Sequence, residues 1–167
     1  AVRQFPMNGY TGAMLDAQLK LNNEFIRLFY GERLTPAQVI ERAPNLRTFF
    51  RRLQADDTHL LGRHYTFWHQ IDDVKLPSPW KTVDVPVLAL WGTSDFPATR
   101  EDHPLIADTV NAQYPGLARF REVPGTGHGF DQAMSMAESM RNRLQGPFNP
   151  EVVSICAEWM KSVVAKG

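Results

Sequence analysis

The sequence contains one cysteine among 167 residues, so no disulfide can form within the chain. It also lacks any apolar run close to the roughly 18 residues that a membrane-spanning helix needs. Basic and acidic residues balance at 18 each, which gives no electrostatic reason to expect binding to nucleic acid or to an anionic membrane. We therefore expect a soluble domain without a cofactor, and the sequence leaves open whether it is cytoplasmic or exported.

A buried strand is predicted near the middle of the chain. Apart from Pro86, residues 85–91 are all hydrophobic. A continuous apolar run of this length is typical of a strand buried on both faces, as in a parallel sheet. Gly92 ends the run, and the turn that follows places Asp95 just past the carboxyl end of the strand. In open α/β sheets this rim is where ligands bind.

A second strand and a histidine loop follow. The pattern predicts a helix after Asp95, a strand at 118–123 and a glycine-rich loop at 124–130 that contains His128. Because the carboxyl ends of parallel strands meet at one rim, we expect Asp95 and His128 to lie close together. Pro150 opens a last helix, whose apolar face is predicted to pack on the sheet.

These two loops resemble the C-terminal half of an α/β-hydrolase. In that family a G-x-x-D turn, here Gly92-Thr93-Ser94-Asp95, follows the penultimate strand. A G-x-G-H loop, here Gly125-Thr126-Gly127-His128, follows the last strand. The resemblance covers about residues 83–165 well and residues 1–82 loosely. It implies an α/β structure that is a partial α/β-hydrolase fold, with the last two parallel strands and their flanking helices.

The resemblance also assigns roles to the two polar residues. Asp95 and His128 would be the acid and the histidine of a Ser-His-Asp triad. Imidazole suits this work because it gains and loses a proton near neutral pH, and a carboxylate on its far nitrogen fixes the tautomer. Asp102, Asp108 and Asp131 are weaker candidates for the acid, since the first suits a helix cap, the second lies in a helix and the third is only three residues past the histidine.

The nucleophile of that family is missing from this chain. It lies in a G-x-S-x-G elbow before the acid. The chain has serines at 78, 94, 135, 139, 154 and 162, and none has glycine two residues away on both sides. We therefore expect the later part of a serine hydrolase of carboxylic esters or amides, inactive alone. The implied partners are an N-terminal half that carries the nucleophile, or a second copy bound through an exposed strand edge, and a small acyl substrate.

The chain is expected to have two parts. Residues 1–80 are predicted to form a helical cap or lid, and residues 81–167 the C-terminal part of the hydrolase core. Within 11–73 apolar residues recur at spacings near three and four, which predicts three or four short helices. Such a cap lines the substrate pocket in the resembling family, whereas the simpler interpretation is a bundle whose aromatic residues fill its own core.

Local signals predict where some of these helices begin. Thr35, Pro36 and Gln38 form a capping-box pattern at a helix start. Asp57 or Thr58 is a candidate cap for a helix that runs through Ile71. Residues 77–81 contain two prolines and are predicted to be an extended link into the buried strand.

Two further features suggest other chemistry but carry less weight. His59, His64 and His69 are spaced five apart, which does not place them on one face of a helix, and no cysteine pair or H-E-x-x-H motif supports a metal site. Cys156 lies in a helical pattern and is best interpreted as a small core residue.

Three alternatives remain open from the sequence. An acyltransferase would use the same fold and the same residues. A non-catalytic interaction module could keep a hydrolase-like shell, in which case the Asp95–His128 hydrogen bond need not be preserved. A helical domain joined to an unrelated α/β ligand-binding domain would place Asp95 and His128 far apart.

Overall fold

The computed structural model describes residues 4–74, 78–142 and 145–165. It is an α/β structure, largely helical, with one small parallel sheet. The chain divides into two compact units, Ala1–Lys75 and Leu76–Gly167. Among the helices of these described ranges, none is long and apolar enough to cross a membrane.

The first unit is helical apart from one short hairpin. Its elements are α1 (Gln4–Met7), α2 (Gly12–Phe25), a π-helical turn (Ile26–Gly31), α3 (Pro36–Arg42), a 3₁₀ turn (Pro44–Leu46), α4 (Arg47–Arg52), β1 (His59–Leu60), β2 (Arg63–His64) and α5 (Tyr65–Asp73). The capping box predicted at α3 is present. Thr35 Oγ1 accepts a hydrogen bond from Gln38 N, and the Gln38 side chain accepts one from Thr35 N.

The core of this unit is aromatic. Phe25 and Phe29 stack with ring centroids 5.3 Å apart, and Phe50 meets Phe25 edge-on at 5.5 Å. Leu28 and Leu46 are fully buried beside them. These side chains pack on one another, so burying them supplies the unit with its own hydrophobic core.

The prediction that a helix begins at Asp57 or Thr58 is wrong. Instead β1 and β2 form an antiparallel hairpin, in which His59 pairs with His64. The two-residue turn between them has positive φ at both central residues, 52° at Leu61 and 72° at Gly62, as a type I′ hairpin turn requires. Helix α5 therefore begins only at Tyr65.

The Asp56 side chain opens this hairpin. Its Oδ1 accepts hydrogen bonds from Thr58 N at 2.8 Å and from His59 N at 2.7 Å. These bonds to the backbone favour the ionised form and lower the pKa of Asp56 from 3.8 to about 2. The carboxylate thus satisfies two backbone donors of the turn that leads into β1.

His69 packs into the aromatic core from α5. Its ring centroid lies 4.7 Å from that of Phe29 and 5.4 Å from that of Tyr65. Its Nε2 is buried without a hydrogen-bond partner in the described part of the chain. Burial lowers the pKa of His69 below its usual 6.5. A hydrogen bond with the Phe29 backbone opposes this shift, the Arg33 charge adds to it, and Asp72 opposes it more weakly.

We expect acid to destabilise the first unit through His69. Because folding lowers the pKa of this imidazole, its contribution to stability is complete above pH 6.5 and is lost as the pH falls through the folded pKa. Thermal unfolding followed by circular dichroism should show a midpoint that falls by a few degrees more in the wild type than in His69→Gln between about pH 7.5 and pH 5. An equal fall in both proteins would contradict this role for His69.

The second unit contains the parallel sheet. Its elements are a 3₁₀ turn (Ser78–Thr82), β3 (Val87–Gly92), α6 (Asp102–Gln113), β4 (Ala118–Val123), α7 (Met136–Arg141) and α8 (Glu151–Val164). The 3₁₀ turn replaces most of the extended link predicted at 77–81, while Pro77 lies outside the described residues. Asp102 lies in the first turn of α6 and accepts a hydrogen bond from Thr99 Oγ1, so it is not the cap itself.

Strands β3 and β4 pair in parallel, from Val87 opposite Ala118 to Gly92 opposite Val123. Strand β4 has the predicted bounds, and β3 begins directly after Pro86, which has no N–H to give to the ladder. Helix α6 covers one apolar cluster with Ala107 and Val110, and α8 covers another with Val152 and Ile155. Because β3 and β4 are parallel and in this register, both strands end at the same rim of the sheet.

Candidate active site

The loops that follow β3 and β4 are hydrogen-bonded to each other. Thr93 N donates to Val123 O at 3.0 Å, and Ser94 N donates to Thr126 O at 2.9 Å. Gly125 N donates in return to Thr93 Oγ1 at 3.0 Å. The two loops thus form one structure at the carboxyl end of the sheet.

Gly92 permits this close approach. A Cβ added at Gly92 would lie 2.2 Å from Thr126 O and 2.7 Å from Thr126 C, both of them backbone atoms. Only glycine fits between the end of β3 and the loop after β4. The first glycine of the G-x-x-D turn is therefore required by packing against the histidine loop.

Asp95 is buried at this rim, with 4% of its surface exposed. Its Oδ1 accepts a hydrogen bond from Ala98 N at 2.8 Å. Its Oδ2 lies 2.9 Å from Nδ1 of His128. Each carboxylate oxygen has a partner, which fixes the orientation of the side chain and directs one oxygen at the imidazole.

His128 is presented to solvent from the loop after β4. Its side chain is 49% exposed, whereas that of Asp95 is 6% exposed. When Nδ1–H donates a hydrogen bond to the Asp95 carboxylate, Nε2 is the ring nitrogen without a proton. This is the tautomer that a general base needs.

Asp131 is hydrogen-bonded to the backbone of the loop that carries His128. It is 2% exposed, its Oδ1 accepts from Gly129 N at 3.2 Å, and its carbonyl oxygen accepts from Gly127 N at 2.7 Å. A Cβ at Gly127 would lie 2.6 Å from Asp131 Oδ1 and 2.4 Å from Ser139 Oγ. Phe130 completes the turn with φ of 57°.

The sequence indicates Asp131 only as a weak candidate for the triad acid and not as a residue that holds this loop. The signal in the sequence was its position directly after a glycine-rich loop, where a short side chain can accept hydrogen bonds from nearby backbone N–H groups.

Thr126 and Asn149 anchor the same loop to the start of α8. Thr126 is fully buried, and its Oγ1 accepts from Asn149 Nδ2 at 2.7 Å. Asn149 N donates to Phe130 O at 2.7 Å, and its Oδ1 accepts from Glu151 N at 3.0 Å. The loop that carries His128 is thereby tied to the last helix as well as to the turn of Asp95.

No serine hydroxyl is placed to serve His128 in the described residues. Ser94 is buried, and its hydroxyl donates to Ala133 O at 2.6 Å. Ser139 is fully buried beneath Gly127, and Ser162 donates to Trp159 O. The side chain of His128 is hydrogen-bonded to Asp95 instead.

The three histidines that are spaced five apart and the cysteine lie elsewhere. His59 and His64 face each other across the hairpin with ring centroids 5.4 Å apart, while His69 lies in the aromatic core. Over 4–74, 78–142 and 145–165, no group of three or more His, Cys, Asp and Glu side chains is arranged to hold a metal ion. Cys156 is half-buried beside the cluster under α8.

The Asp95–His128 bond should be visible in solution. A proton held on Nδ1 by a buried carboxylate exchanges slowly enough to give a low-field proton NMR resonance. We expect this resonance in the wild type and its loss in Asp95→Ala, because the acceptor is removed. Asp108→Asn changes charge equally at an exposed position of α6 and should retain the resonance. A resonance that survives Asp95→Ala would contradict the geometry.

The chain gives no significant match to any protein-family model, to any curated protein or to any solved structure. The contact between Asp95 and His128 counts against an unrelated ligand-binding domain that would separate them, and it is the feature on which a functional assignment must rest.

Proposed function

We propose that this chain supplies the acid and the histidine of a Ser-His-Asp triad in a serine hydrolase of carboxylic ester or amide bonds. The observation that carries the proposal is the 2.9 Å contact between Asp95 Oδ2 and His128 Nδ1. The burial of the acid and the exposure of the base support it, since the acid must be shielded and the base must reach substrate.

The partial α/β-hydrolase fold is part of the same proposal. It is supported by the order of strand β3, the Asp95 turn, α6, strand β4, the His128 loop and α8. The parallel pairing of β3 with β4 supports it too, because it brings both loops to one rim.

In the proposed reaction a serine of a companion segment attacks the acyl carbon of a small-molecule substrate. His128 Nε2 takes the hydroxyl proton as the Ser O–C bond forms, and Asp95 stabilises the resulting imidazolium. His128 then gives that proton to the leaving alcohol or amine as its bond to the acyl carbon breaks. Water repeats the cycle on the acyl-enzyme, and its proton passes through His128 to the released serine.

The test is to express the chain together with a companion segment that carries a G-x-S-x-G elbow and to measure hydrolysis of p-nitrophenyl acetate. His128→Ala should reduce turnover by roughly 10⁴-fold or more, because the general base is lost. Asp108→Asn is the matched control for a charge change outside the site and should leave turnover unchanged. Turnover that is insensitive to His128→Ala, or no turnover with a folded protein, would overturn the proposal.

A further inference from the structure

The β1–β2 hairpin of the first unit brings two histidine side chains together. His59 and His64 are direct partners across the hairpin. Residues directly opposite in an antiparallel pair extend to the same face, with Cβ atoms about 4.5–5.5 Å apart. The two imidazole rings are nearly perpendicular, at 84°, and their centroids lie 5.4 Å apart. The hairpin therefore creates an imidazole pair that the same spacing on a helix would not.

On both rings the Nδ1 atom has an oxygen partner close by in the chain. His59 Nδ1 lies 3.2 Å from Asp56 Oδ1 and 3.0 Å from Thr58 Oγ1. His64 Nδ1 lies 2.8 Å from Thr66 Oγ1, closer than it lies to Thr66 N at 3.4 Å. When each Nδ1–H donates to its oxygen, the free lone pair is on Nε2 of each ring. Histidines that bind a metal ion are held by this kind of hydrogen bond from the other ring nitrogen.

The separation of the rings fits one tetrahedral ion. With Zn–N bonds of about 2.0–2.1 Å and tetrahedral angles, two imidazoles bound to the same zinc ion have centroids about 5.2 Å apart. Neighbouring ligands at a right angle on a square-planar ion would have centroids only about 4.5 Å apart. The observed 5.4 Å is closer to the tetrahedral value. Imidazole nitrogen is a common ligand of Zn²⁺, which prefers tetrahedral coordination.

The imidazole pair is open to solvent, while the backbone that carries it is fixed. The His59 side chain is 46% exposed and His64 is also exposed, so an ion can reach both rings. Leu60, next to His59, is buried in the core of the first unit. Its carbonyl oxygen accepts a hydrogen bond from Trp68 Nε1 at 2.8 Å. The hairpin is therefore held in place before an ion binds, which a precise site requires.

The charges next to the pair favour a cation. Backbone hydrogen bonds from Thr58 and His59 hold the pKa of Asp56 at about 2, so this carboxylate is ionised wherever imidazole is neutral. Side chains alternate along a strand, so Arg63 lies on the opposite face of β2 from its neighbour in the pair. The Arg63 guanidinium lies 5.5 Å from the centroid of the Phe67 ring. A carboxylate is thus bonded to the pair, and the adjacent cation points away from it.

We propose that His59 and His64 bind one Zn²⁺ ion through their Nε2 atoms. No third His, Cys, Asp or Glu side chain joins them as a ligand in the described ranges, so water molecules complete the tetrahedron. An ion that binds only the folded hairpin shifts the folding equilibrium towards it, so zinc stabilises β1 and β2. This site uses neither Asp95 nor His128, and it stands or falls independently of the proposed hydrolase function.

The test titrates the full chain with Zn²⁺ and follows the imidazole resonances by NMR. The resonances of His59 and His64 should shift together as one ion binds per chain, with a dissociation constant below about 100 μM. His59→Asn and His64→Asn should each weaken binding at least about tenfold, because one of the two protein ligands is lost. Asparagine can still cap α5 in place of His64, and circular dichroism checks that both variants are folded.

Two histidines of the second unit provide matched controls. His103→Asn removes a half-buried imidazole from α6, and His128→Asn removes the one that is bonded to Asp95. Both variants should bind Zn²⁺ as the wild type does. Mg²⁺ prefers oxygen ligands and should shift neither resonance of the pair. The proposal would be overturned by no binding at about 1 mM Zn²⁺, by binding that survives both hairpin substitutions, by binding lost in His128→Asn, or by Mg²⁺ acting as Zn²⁺ does.

Discussion

The isolated chain is expected to hydrolyse p-nitrophenyl acetate no faster than its own His128→Ala variant. Asp95 and His128 are in contact, but the described residues place no serine hydroxyl beside His128. Removing the nucleophile of a complete triad costs on the order of 10⁶-fold in turnover, about as much as removing the whole triad. Asp95 and His128 by themselves are thus expected to contribute almost nothing to the rate of ester hydrolysis.

This result is checked by comparing initial rates for the wild type, His128→Ala and the Asp108→Asn control with free imidazole at equal concentration. Free imidazole gives the background rate at which an imidazole outside the protein hydrolyses an activated ester. A wild-type rate well above that of imidazole and abolished by His128→Ala would mean that the chain contains its own nucleophile. The assignment of Asp95 and His128 as an incomplete triad would then be wrong.

Replacing Gly92 by alanine should be the most damaging single methyl addition in the second unit. The new Cβ would lie 2.2 Å from Thr126 O, and a backbone atom cannot rotate away as a side chain can. The strand end and the histidine loop must separate. We expect a loss of about 3 kcal/mol or more in the free energy of unfolding, above the usual range for overpacking.

Gly31→Ala is the matched control for that substitution. Its Cβ would meet nothing nearer than Ile26 O at 4.0 Å, so it should change stability by less than about 1 kcal/mol. Urea unfolding measures both effects, and the low-field resonance of His128 should weaken or vanish in Gly92→Ala alone. A Gly92→Ala protein as stable as Gly31→Ala, with the resonance intact, would contradict the packing described here.

The contact between Asp95 and His128 could be predicted because it depends on few assumptions. A continuous apolar run identifies a buried strand, and parallel strands deliver their following loops to one rim. Strand β4 was predicted with its observed bounds, and the capping box of Thr35 and Gln38 is local chemistry that sequence spacing specifies. The role of the contact in catalysis stays a prediction.

The parts that sequence could not predict depend on backbone conformation or on contacts between distant residues. The hairpin at β1 and β2 needs positive φ at Leu61, where a leucine gives no signal for it. Asp56 draws two backbone N–H groups into a turn in a segment whose apolar spacing suits a helix. The position of Asp131 after a glycine-rich loop is a weak signal, and only the folded loop shows that its side chain accepts from Gly129 N and its carbonyl oxygen from Gly127 N.

The hydrogen bonds that join the loops after β3 and β4 have a consequence for how the site would meet a substrate. Asp95 and His128 are 33 residues apart, and bringing them together costs conformational entropy. Since Thr93 and Ser94 are already bonded to the backbone of the β4 loop, that cost is met when the sheet folds. Asp95 and His128 are therefore aligned without a ligand, so that in the proposed reaction none of a substrate's binding energy would be needed to align them.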